Sequence, residues 1–330
     1  MSEEVIRPPE SAPTGQSPIA DFTYRTYDGP LYTRRIRWWI VALAGIRLSM
    51  KKKGFWVLAG LAVLPYVITV VQLYLQSRAS TLTGGQTPNP LNMPLPGQQY
   101  SSQFFQAFVF QAFFLFILTL LAGTGTIASD NQANALQVYL SKPITKGDYL
   151  AGKMMGVAIV IFAVAFVPAL SLYAYCLLSF VNEGFFKNEP WLIVRIIAAC
   201  SVPALVFSAL IVGFSAWSKT PRMAGAIFAG FYFMSGIVAG IYWGVRYRGN
   251  LGQGNLERHF SVDGVIQGLV QNAYGVTQRM MTGNPRTGAL EQVSMPPPNA
   301  WVMLALGLGL VALGLMAARA RIRAVEVVRG

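Results

Sequence analysis

Six stretches of this chain are too long and too apolar for one soluble core to hide. They cover residues 55–75, 104–128, 154–180, 191–217, 224–245 and 300–318, and each supplies the roughly 20 residues needed to cross about 30 Å of hydrocarbon. No water is available there to satisfy backbone groups, so each stretch must close its own hydrogen bonds as a helix. The expectation is an all-α membrane protein with six transmembrane helices. Composition agrees, since 54% of the 330 residues are hydrophobic and only 12% are charged.

Charge orients the spans. There are 26 Lys and Arg against 13 Asp and Glu, an excess that would suit nucleic acid only if it formed a basic face with aromatic platforms on a soluble fold. Here the cations bracket the spans instead: nine lie in 1–54, three in 129–153, two in 218–223 and four in 319–330, which is 18 of the 26. By the positive-inside rule these segments are cytoplasmic. Both termini are then inside, with the long loops 76–102 and 246–299 outside. Residues 1–30 are rich in Pro and Ser, lack an apolar run and do not read as a signal peptide. They are expected to form a disordered cytoplasmic tail ahead of a permease domain at 31–330.

Within 32–48, Arg34, Arg35, Arg37 and Arg47 alternate with Trp38, Trp39, Ile40 and Leu43. Indoles beside cations suit a helix lying among lipid headgroups, and an irregular extension of the first span is the alternative. In the outer loop, Ser261 as a cap and Asp263 in a first turn precede a stripe of Val262, Val265, Ile266, Leu269, Ala273, Val276 and Met280, which predicts a short extracytoplasmic helix.

The most informative polar stretch is 129–153. No Gly or Pro interrupts 130–141, Pro143 ends that run, and Thr145 with Asp148 forms a capping box that starts the next helix. The residues Asp130, Leu136, Leu140, Pro143, Ile144, Thr145, Lys146, Asp148, Tyr149, Leu150, Gly152 and Lys153 closely resemble the cytoplasmic coupling segment of type-2 ABC exporter permeases. That resemblance implies a transport subunit of a bacterial cytoplasmic (inner) membrane, with an N-terminal elbow helix at 32–48 and a coupling helix within 129–153. It also implies a separate ABC ATPase subunit that holds ATP and Mg²⁺, and a second permease copy or paralogue. The implied coupling residues are Asp130, Leu136, Tyr139, Leu140, Pro143, Lys146, Asp148 and Lys153. In the second span Gln103, Gln106 and Gln111 fall within one half of a helical wheel, placing them either along a substrate path or in hydrogen bonds between helices.

Catalytic patterns are absent from the sequence. The run Gly147 to Met154 fits Gly-x4-Gly-Lys, but Met154 stands where a phosphate-binding loop needs Ser or Thr for Mg²⁺. No span contains His, Asp, Glu or Lys to serve a nucleophile. Cys176 and Cys200 both fall in spans and His259 is the single histidine, so neither a disulfide framework nor a metal site is expected. Two other classes stay open. An ion- or proton-driven carrier should place ionisable groups at mid-membrane, which the spans do not supply, and a membrane anchor for an ATPase would share every feature above.

Overall fold

The computed structural model describes residues 37–82, 100–133, 145–180, 185–246, 256–283, 290–295 and 297–322. The expected tail at 1–30, the first turn of the expected elbow helix and the coupling residues Leu136, Tyr139, Leu140 and Pro143 lie outside these. Every described element belongs to one compact unit within Ile36–Gly330.

In chain order the elements are α1 (Arg37–Met50), α2 (Lys53–Leu82), α3 (Tyr100–Gly123), α4 (Gly125–Gln132), α5 (Lys146–Ser179), α6 (Phe185–Asn188), α7 (Leu192–Trp217) and α8 (Pro221–Arg246). A 3-10 turn (Leu256–Phe260), α9 (Val262–Tyr274), β1 (Gln278–Gly283), β2 (Leu290–Met295) and α10 (Ala300–Arg321) complete the series. Six helices are long and apolar enough to cross a membrane, and α3 with α4 counts as one of them. The expected spans fall on α2, α3–α4, α5, α7, α8 and α10.

The bundle is organised round α7, which packs against α3, α4, α5, α8, α9 and α10. Its apolar window is 72% buried, against 17% for α8 and α10. Small residues on many sides, among them Ala199, Ala204, Ser208, Ala209, Gly213 and Ala216, explain this, because helices in lipid gain little from hiding apolar surface and associate through close packing. The tightest crossing is with α10. A Cβ on Gly213 would lie 2.8 Å from Gly314 O, and one on Gly314 would run into Ala209 O, so the two backbones touch. Farther along, Phe116 of α3 stacks on Tyr232 of α8 at 4.0 Å, and Phe207 of α7 and Phe228 of α8 complete that aromatic cluster.

The second span kinks at Thr124, where α3 gives way to α4 while Thr124 itself keeps helical dihedrals (φ −58°, ψ −37°), and the kink loosens the first N–H groups of α4 in the interior. Ser215 of α7 meets them: its hydroxyl accepts from Ile127 N (3.0 Å) and Ala128 N (2.9 Å) and donates to Thr124 O (2.9 Å). The expected span at 104–128 lies within a single apolar crossing, Tyr100–Gln132. The kink occurs where Gly123, Thr124 and Gly125 follow one another, a weak helical triplet that a partner on another helix can open.

The stretch between α8 and α10 differs from expectation in part. Ser261 caps α9, its hydroxyl accepting from Gly264 N at 2.9 Å, as anticipated. The helix ends earlier, however, because Gly275 adopts φ 66° as a left-handed C-cap, which leaves Val276 beyond the helix and puts Met280 in a strand. β1 and β2 then pair antiparallel, Gln278 opposite Met295 through Gly283 opposite Leu290. This small hairpin adds strand to a loop expected to hold only helices.

Candidate functional site

The first turns of α5 gather the charged residues that flank 134–144. Thr145 is the N-cap: its hydroxyl accepts from Asp148 N (3.1 Å) and donates to Asp148 Oδ2 (2.8 Å), while Thr145 N donates to the same carboxylate at 3.3 Å. Asp148 is thereby occupied with fixing the start of α5. One turn on, Tyr149 and Lys153 stand four residues apart on one face, with the ammonium 5.4 Å over the ring centroid. Both reach Asp130 of α4: Lys153 Nζ lies 2.7 Å and the Tyr149 hydroxyl 2.6 Å from Asp130 Oδ2. Tyr149 is fully buried, and the Lys153 and Asp130 side chains are 13% and 15% exposed.

Neighbouring contacts hold this cluster against the bundle. Asn131 Nδ2 donates to Ala216 O (3.2 Å) and Ser218 O (3.4 Å) at the end of α7. Lys52 Nζ, between α1 and α2, donates to Leu121 O at 2.6 Å, near the end of α3, and burial pulls its pKa below the ordinary lysine value. α1 seats directly on α5. A Cβ on Gly152 would lie 2.6 Å from Trp38 O and from Val41 Cβ, and one on Gly156 would lie 3.0 Å from Ala42 O. The two glycines four apart are what allow the backbones to approach so closely.

Of the expected coupling residues, Asp130 and Lys153 are thus brought together, Asp148 serves the cap, and Lys146 is exposed. The implied coupling set left out Tyr149, though it is among the residues that carry the resemblance, and also Asn131, Ser215 and Lys52. The spacing of Tyr149 to Lys153 was a usable signal; the other three act on carbonyls or amides of distant helices, which no local pattern reveals. The Gly147-to-Lys153 run is continuous helix within α5, with no open loop to cradle a phosphate. Among the described residues no group of three or more His, Cys, Asp or Glu is placed to hold a metal.

The three glutamines do not converge. Gln111 is fully buried, accepting from the Tyr66 hydroxyl (3.3 Å) and donating to Ala62 O and Val164 O (both 3.2 Å), so it ties α2, α3 and α5 together. Gln103 is buried near the start of α3, and Gln106 is exposed. At that end Arg195 of α7 pairs with Glu189 at 3.0 Å and also donates to Ser101 Oγ (3.3 Å) and Tyr274 O (3.4 Å). It therefore ties α3, α7 and α9 together.

A family model described as an ABC-2 family transporter protein matches residues 39–313. No curated protein shows a significant match to the chain.

Proposed function

The chain belongs to the ABC-2 transporter family, and on that premise we propose that it is the transmembrane permease subunit of an ATP-driven exporter, half of a translocation pathway completed by a second permease copy or paralogue. ATP and Mg²⁺ are held by a separate ABC ATPase subunit, which docks on 129–153 at the cytoplasmic face of a bacterial inner membrane. The observation that carries this reading is the Asp130–Tyr149–Lys153 cluster. It joins the exit of the second span to the entry of the third, so a displacement of the segment between them pulls on both spans at once. Contacts of α5 with α1, and of α4 with α7, extend that pull into the bundle.

The test is recovery of the ATPase with tagged permease. Buried interface anchors contribute about 2 kcal/mol or more each, and an unpaired charge in their place adds a desolvation cost. Leu136→Arg and Tyr139→Asp are expected to reduce ATPase recovery at least tenfold at equal permease levels and to abolish transport, while Gln132→Ala changes neither. The purified permease alone is expected to hydrolyse no ATP. Unchanged recovery in both charged variants would refute docking at this segment.

A further inference from the structure

The packing round α7 leaves one side open. α8 packs on α7 beside α4, and α10 packs on α7 beside α5, but α8 and α10 scarcely meet each other. In one half of the bundle α9 fills the space between them: Val262 N donates to Ser235 Oγ of α8 at 3.3 Å, while Gly268 and Leu269 abut Met303 and Gly307 of α10. Nearer the Trp217 end no described element does the same, and a cleft runs between 222–234 of α8 and 308–321 of α10.

One face of α7 is the floor of this cleft. The ring centroids of Phe214 and Phe231 of α8 are 5.5 Å apart. Trp217, three residues beyond Phe214 and so on the same face, donates Nε1–H to Ala317 O of α10 at 2.8 Å. Ile227 and Met234, one turn either side of Phe231, line one wall, and Leu313, one turn from Ala317, lines the other; all three are exposed. From Arg222 to Met234 the cleft is about 18 Å long at ~1.5 Å per residue, close to the ~15 Å of one leaflet's hydrocarbon.

Cations stand at its open end. The Arg321 guanidinium lies 5.9 Å from the centroid of the Trp217 ring, a contact that holds the fork in place while leaving its N–H edges to donate. Lys219 lies two residues beyond Trp217, in the link to α8, and both cations are exposed. Among the described residues neither pairs with a carboxylate. Asp130, whose neighbour Asn131 bonds Ala216 O and Ser218 O, is taken by Lys153 and Tyr149. An apolar cleft one leaflet deep with fixed cations at its mouth fits acyl chains that end in a negatively charged headgroup. A helix from a second copy would cover the apolar walls but leave the cations without a partner.

We propose that the cleft between α8 and α10 binds a phospholipid of net negative charge, its phosphate on Arg321 and Lys219 and an acyl chain along Phe214 and Phe231. The site is built by this chain alone, so it stands or falls separately from export and from the ATPase.

For the test, the full chain is placed in phosphatidylcholine nanodiscs with a trace of phosphatidylglycerol that carries a photoactivatable diazirine on its acyl chain, and cross-linked residues are mapped by mass spectrometry. Cross-links are expected to concentrate on 227–234 and 310–317, and to be displaced by unlabelled phosphatidylglycerol but not by more phosphatidylcholine. Arg321→Gln and Lys219→Gln should each lower their yield about fivefold. Leu313→Trp, which narrows the cleft without touching the charges, should lower it as well. Arg319→Gln removes a charge from the same end of α10, but about 200° round the helix from Arg321 at 3.6 residues per turn, and should change little. Labelling spread evenly over the exposed faces of α2, α8 and α10, an equal loss in Arg319→Gln, or cross-links between two chains in place of lipid adducts overturns the proposal.

Discussion

At the scale of single residues, the contact between Lys153 and Asp130 makes the sharpest claim. Both side chains are largely withdrawn from water, and removing one partner of such a pair strands the other charge. Lys153→Met keeps the apolar stem but leaves Asp130 with the Tyr149 hydroxyl, and should cost about 3 kcal/mol. Adding Asp130→Asn should restore most of that loss. Denaturation midpoints of the purified protein in mixed micelles measure both, and a double variant no more stable than Lys153→Met would mean the pair carries no such coupling. Asp130 and Lys153 were legible as important through their resemblance to a coupling segment. Their pairing was not, because it depends on how α4 and α5 are set against each other by α7, on which both pack. Asp263 was read only as a first-turn acid, which is correct for its helix.

At the scale of elements, locally encoded features were the readable ones. The Thr145 capping box and the Ser261 cap need only their own neighbours, and both form as the spacing predicts. The kink at Thr124 needs Ser215 from another helix, and the end of α9 hinges on a glycine that the apolar stripe ran past. Asp130 lies near the end of α4, so the second span carries it directly. The seat of α1 on α5 gives the prediction belonging to this scale. A leucine side chain at Gly152 cannot fit against Trp38 O, so Gly152→Leu should lift α1 while leaving the α7–α10 contact intact. In a background lacking Cys176 and Cys200, a cysteine at Val41, which is buried, should react with a small maleimide several-fold faster when Gly152→Leu is added. An unchanged rate would show that α1 is held elsewhere.

At the scale of the whole molecule, the proposed sidedness rests on the distribution of basic residues. Lys146→Cys should be shielded from an impermeant thiol reagent in intact cells, while Gln86→Cys and Asn255→Cys should be labelled; equal labelling of all three would reverse or abolish the assigned orientation. The six crossings were fully legible because apolar length is a property of the sequence alone, whereas the rank order of burial among them was not, since it depends on which helix the others surround. That order has a consequence for biosynthesis. Translation delivers α7 to the bilayer before α10 exists, yet α10 supplies the backbone that Gly213 touches. Until the last span arrives, acyl chains must fill the groove along α7. Closing the bundle is therefore a late exchange of lipid for protein, and a nascent chain halted before residue 300 would leave its central helix open to membrane quality control.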